Sequence, residues 1–195
     1  MMPTERISGR DEPLNPFSAF NRFIDIVDDS GYLLLCDPAT LNVFIREGWR
    51  PEELHLRMLR EMTAGRLIVW KSAGPWTYKV RLSAERPSRA VRQVAGRFKL
   101  QVNEQLGVGT YAELTASAAM QAVPPQMAQL PLSPGNYEAT LFRLFSSGER
   151  YDAEGNFNFH TYPRTLAHYH VQLTPAATGP VGNFIQAIPN LGGLR

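Results

Sequence analysis

Cysteine is almost missing from this chain: Cys36 is the single one in 195 residues. That excludes an internal disulfide and any zinc site built from several cysteines. Cys36 also closes an apolar run, Tyr32-Leu33-Leu34-Leu35-Cys36. A buried small hydrophobe is expected there, because a reactive thiol needs an exposed, electropositive setting. Long hydrophobic runs are missing too. The run just quoted is of strand length, far below the roughly 20 residues of a membrane-spanning helix, so no membrane segment is expected. The first ten residues carry charges of both signs and lack the apolar stretch of a secretion signal, which with the lone cysteine predicts a cytoplasmic protein. There is no Gly-x-Ser-x-Gly elbow, no phosphate loop ending in Gly-Lys-Ser/Thr and no His-Glu-x-x-His. Gly107-Val108-Gly109 does not complete a dinucleotide fingerprint and is expected to form a turn. No cofactor and no catalytic residue is implied.

What is present describes a globular protein. Hydrophobic residues make up 44% of the chain and charged ones 19%, well away from the composition of disordered chains. The length suits one domain. Residues 1-16, rich in charge, Pro and Gly, are expected to be a flexible tail. Residues 17-178 form the domain and residues 179-195 an irregular C-terminal tail.

Apolar periodicity predicts a mainly β fold. Trp76-Thr77-Tyr78-Lys79-Val80-Arg81-Leu82 and Arg97-Phe98-Lys99-Leu100-Gln101-Val102 alternate strictly, as strands with one buried face do. Further strands are expected over residues 66-70, 108-114, 137-145 and 166-173. Residues 20-27 should pair with the apolar run after the turn Asp28-Asp29-Ser30-Gly31, as a hairpin. Glu154-Gly155-Asn156 is a second hairpin signal. Residues 116-129 lack alternation and read as a loop or a short helix. One helix stands out near residues 51-63. Proline opens it, Glu52 and Glu53 suit its positive end, Gly65 lies past its end, and Leu54, Met58, Leu59 and Met62 make one apolar face. About seven or eight strands with this helix packed on them predict an antiparallel β-sandwich.

The charge is uneven. Residues 51-100 hold 11 basic and 4 acidic groups, against 5 and 8 in residues 1-50. The densest part is 86-99, with Arg86, Arg89, Arg92, Arg97 and Lys99. If their strands are neighbours, Lys79, Arg81, Arg97 and Lys99 form one basic surface, and a nucleic-acid-binding module using segment 86-99 is one alternative function. A second alternative is a metal-dependent enzyme or metal-binding protein using His160, His168 and His170. A His-x-His pair on a strand projects from one face and suits zinc, copper or iron. Here the alternate residues Tyr169, Val171 and Leu173 take the apolar face, which leaves both histidines on an exposed outer face.

One family resemblance is carried by three ordered pieces: Lys79-Val80-Arg81-Leu82, Phe98-Lys99-Leu100-Gln101-Val102, and Leu130-Pro131-Leu132-Ser133-Pro134-Gly135-Asn136-Tyr137. Together they resemble the core of the competence-J family of nuclease inhibitors, bacterial β proteins broadly similar to toxin-immunity domains. The resemblance implies a β-sandwich that binds a cognate toxin or effector enzyme and masks its site. Inhibitors of nucleic-acid enzymes tend to present acidic surfaces, whereas this chain is near neutral, so a nuclease is not singled out as the target. Aromatic and arginine side chains dominate interface energies, which makes Trp49, Trp76, Arg81, Arg97, Tyr151 and Tyr162 the candidate anchors for a protein partner.

Overall fold

The structure, a computed structural model, describes residues 20-41, 51-74, 76-88, 91-114, 127-144, 150-151, 157-158, 167-176, 182-183 and 185-191. It is mainly β. Eleven strands are described: β1 (Asn21–Asp28), β2 (Tyr32–Cys36), β3 (Leu67–Lys71), β4 (Trp76–Ser83), β5 (Val91–Val102), β6 (Leu106–Thr110), β7 (Ala128–Leu130), β8 (Gly135–Leu144), β9 (Arg150–Tyr151), β10 (Phe157–Asn158) and β11 (Tyr169–Pro175). They form a five-stranded sheet in the order β1-β4-β11-β8-β5, a four-stranded sheet in the order β3-β2-β6-β7, and the small pair β10-β9. That pair flanks Glu154-Gly155-Asn156, as the turn signal predicts. Neighbours pair antiparallel except β11 with β4, which run parallel. The expected flexible tail 1-16 lies outside the described residues.

The alternating residues of the five-stranded sheet point as the sequence pattern requires. Tyr78, Val80 and Leu82 of β4, Phe98, Leu100 and Val102 of β5, and Tyr169, Val171 and Leu173 of β11 are all buried. They join Leu33, Leu34, Leu35, Ile68, Trp70 and Val108 of the other sheet in one hydrophobic core. The strands β2 and β6 are buried on nearly every residue, so both faces of the four-stranded sheet are covered in its middle. The helix α1 (Pro51–Thr63) lies against β3, with Leu54, Met58 and Met62 buried on the predicted stripe. Cys36 is fully buried, and burial pushes its thiol pKa well up, as suits a small core hydrophobe.

Three expectations need correction. First, residues 20-36 are not a hairpin: β1 pairs with β4 in one sheet, and β2 pairs with β3 and β6 in the other. The turn between them is a crossing from sheet to sheet. The buried Asp28 carboxylate fixes it by accepting from the Ser30 and Gly31 N–H groups at 2.9 and 3.0 Å and from the Ser72 hydroxyl at 2.6 Å. Second, Gly107-Val108-Gly109 is strand, not turn. A side chain on Gly107 would meet Met127 Sδ at 2.6 Å and Pro38 Cγ at 3.0 Å, so glycine serves close packing there. Third, the strand expected over 108-114 ends at Thr110 and gives way to a helical turn at 111-114.

The described residues of the C-terminal segment are packed against both sheets. Lys71 N–H donates to Pro189 O and Leu191 N–H to Lys71 O, which lays residues 189-191 along the edge of β3. Asn183 bonds Lys99 at both its N–H (2.6 Å) and its carbonyl (2.9 Å), at the edge of β5. The buried Arg143 guanidinium donates to Leu191 O at 2.7 Å.

Candidate partner-binding surface

Of the two outer edges of the five-stranded sheet, β5 is therefore met by another part of the chain, while β1 pairs among the described residues with β4 alone. A strand edge presents a row of unpaired N–H and C=O groups, and natural proteins cover such edges or use them. On β1 the odd positions face outward, and two of them are large and apolar: Phe23 is 51% exposed and Val27 74%. Asp25 stands between them and pairs with Lys79 Nζ at 2.6 Å. Arg81 lies over the Phe23 ring, with Cζ 5.6 Å from its centroid, and its Nε donates to Asn21 Oδ1 at 2.9 Å. The result is a small outward patch in which apolar area alternates with held charges.

Beside this edge, on the side of the other sheet, lies a cleft of about 540 Å³. Asp25, Ile26, Val27 and Asp29 form one wall, and Val108, Thr110, Ala112, Glu113 and Ala128 form the other. Glu113 is buried and accepts from the Thr110 N–H and hydroxyl, a short-range cap that holds its carboxylate in place.

The predicted anchors are placed as follows. Trp49 and Tyr162 lie outside the described residues, as does His160. Trp76 begins β4 and Tyr151 ends β9, and their side chains also fall outside the described set. Arg81 belongs to the β1 patch. Arg97 is on β5, its side chain 76% exposed and its Nη1 3.4 Å from Glu138 Oε1. The joint basic surface does not form: β11 and β8 lie between β4 and β5, which sets the strand of Lys79 and Arg81 three strand spacings, about 14 Å across the sheet, from the strand of Arg97 and Lys99. Phe23 and Val27 were not singled out by the sequence, although Phe23-x-Asp25-x-Val27 alternates against Ile24 and Ile26. The signal was the aspartate, which marks the outward face.

The histidines correct another expectation. They do sit on the outer face of β11, yet His170 is fully buried and His168 half-buried. His168 Nδ1 accepts from the Lys79 N–H at 2.9 Å. His170 Nε2 lies 2.9 Å from Ser83 Oγ and 3.0 Å from Glu85 O, and its ring meets Phe142 edge-on at 6.0 Å. Burial lowers both pKa values to about 4; Arg143 and Lys79 add to the shift of His168, and Arg81 to that of His170. Both rings are therefore neutral near pH 7, and each commits a nitrogen to tying β11 to β4 or to the loop after it. Among the described residues no three His, Cys, Asp or Glu side chains stand together as a metal site, and no helix is long and apolar enough to cross a membrane.

No protein-family model matches the chain, and no curated protein matches it. A solved structure titled crocagin biosynthetic gene J is similar in fold, with a TM-score of 0.54 and 16% sequence identity over 80% of this chain and 96% of that one.

Proposed function

We propose that this is a binding protein of the inhibitor or immunity type, a β-sandwich in the cytoplasm that holds a partner toxin or effector enzyme inactive. The observation that carries the reading is the β1 edge, which pairs with β4 alone among the described residues and has Phe23 and Val27 exposed on it. Two large apolar side chains exposed on an edge strand, one stacked under an arginine, are of the kind that anchor protein interfaces. An open edge also offers main-chain pairing to an incoming strand. The sandwich is supported by the single core that both sheets share, and the fold likeness to the crocagin protein supports the scaffold and nothing about its partner.

The test is retention of a partner from native lysate by the tagged protein at low and high salt, followed by assay of the retained enzyme. The reading expects one enzyme to survive the high-salt wash, to lose activity when the protein is added back, and to be released by the Phe23→Ser, Val27→Ser double variant. Retention unchanged by that variant sinks the β1 surface. A retained enzyme that stays fully active sinks inhibition.

A further inference from the structure

The outer face of the five-stranded sheet carries, toward the β5 edge, a second cleft of about 470 Å³, a size within the usual range of small-ligand sites. Its lining includes Arg86, Arg97, Glu138, Thr140, Gln172 and Thr174. We propose that this cleft binds a phosphate group carried on a small polar molecule, such as a nucleoside monophosphate or a sugar phosphate. This proposal stands apart from the inhibitor reading.

Arg86 and Arg97 line the cleft from different elements, and a guanidinium offers a planar fork of N–H donors suited to a tetrahedral dianion. Both are set in place by the backbone. Arg97 follows an irregularity in β5, where the register to β8 slips between Val94 and Arg97 and Gly96 takes a φ of +102°. Such bulges re-aim the side chain beside them. Val94 is left half exposed, and the pairing to β8 resumes at Arg97 opposite Thr140. Arg86 follows two tethered residues: Gln172 Nε2 donates to Ala84 O at 3.2 Å, while Ser83 and His170 both bond Glu85 O at 3.0 Å. The loop that presents Arg86 is thus pinned to the sheet.

Arg97 is paired with Glu138, which also lines the cleft, but at 3.4 Å, longer than a charge-assisted hydrogen bond and with both side chains exposed, so a phosphate has only this solvent-screened carboxylate to displace. Thr140, which carries a hydroxyl, also lines the cleft. A single phosphate is favoured over a nucleic-acid strand because two other cations of this face, Lys79 and Arg81, are already held at β1 by Asp25 and Asn21, and Lys99 is the exposed cation beside Arg97 on β5.

The experiment is an amide-resolved NMR titration at constant ionic strength with inorganic phosphate, adenosine monophosphate, adenosine and a short DNA duplex. Phosphate and the nucleotide should give saturable shifts at residues 94-97 and 140-142, and adenosine should give none. The Arg86→Gln, Arg97→Gln double variant should weaken nucleotide binding by about tenfold or more with an unchanged melting temperature, since its parts are exposed. The proposal is overturned if shifts fail to saturate by about 50 mM phosphate beyond a chloride control. It is also overturned if the double variant binds as well as the parent, or if the duplex binds tighter than the nucleotide with a salt slope reporting several phosphates.

Discussion

Lowering the pH from 7 to 4.5 should destabilise this protein through two identified rings. His168 and His170 have folded pKa values lowered to about 4 from an ordinary 6.5. Between those values the unfolded chain holds more protons than the native one, so their contribution to stability is complete above pH 6.5 and is lost as pH falls toward 4. At pH 4.5 the difference amounts to roughly 2.5 kcal/mol per ring, about 5 kcal/mol for the pair. That is a large part of the 5 to 15 kcal/mol that commonly separates folded from unfolded states, to order of magnitude. The assay is urea denaturation at a series of pH values, for the parent and for the His168→Asn, His170→Gln double variant. Asparagine keeps an acceptor near the Lys79 N–H, and glutamine keeps a donor near Glu85 O. Carboxylate titration is common to both proteins and cancels in the difference. The variant should lose much less stability than the parent between pH 6.5 and 4.5. Parallel curves for the two would refute the reasoning.

Other perturbations follow from the same geometry. Asp28→Ala removes the acceptor shared by Ser30, Gly31 and Ser72, and should cost about 2 to 4 kcal/mol in chemical denaturation; a cost below about 1 kcal/mol would show that the sheet crossing is held elsewhere. Gly107→Ala should cost about 1 to 3 kcal/mol by crowding Met127, and pairing it with Met127→Ala should recover part of that loss in a double-mutant cycle. Additive costs would rule the crowding out. Cys36 should resist thiol reagents in the native state and react only as fast as the protein unfolds. Prompt labelling of the native protein would contradict its burial.

The elements written in short periods were legible from the sequence. β4, β5 and α1 each carry their own pattern, so Tyr78, Val80, Leu82, Phe98, Leu100 and Leu54 could be assigned to the core one strand or turn at a time. Pairing is a property of distant segments, and there the local signals misled. Asp28-Asp29-Ser30-Gly31 has turn chemistry whichever sheet follows, so it gave no sign that β1 and β2 part company. Alternation put His168 and His170 on the outer face correctly. It held no information about Glu85 and Ser83, more than eighty residues earlier, which cover His170. The basic surface failed for the same reason: alternation fixes a side chain's face, while the strand order that separates Arg81 from Arg97 is set by β8 and β11. Phe23 and Val27 became visible as a surface only once β1 was known to be an edge.

The position of β11 bears on how the chain is assembled during synthesis. The last strand of the five-stranded sheet is also its middle one, seated between β4 and β8. Until residues 169-175 leave the ribosome, the earlier strands can make only two separate halves, β1 with β4 and β8 with β5, each with an unsatisfied inner margin. Sealing them needs one parallel and one antiparallel contact formed together, across large sequence separations that slow folding. A nascent chain halted before that strand would carry two sticky margins at once. It would be a natural client for a chaperone and a ready seed for aggregation.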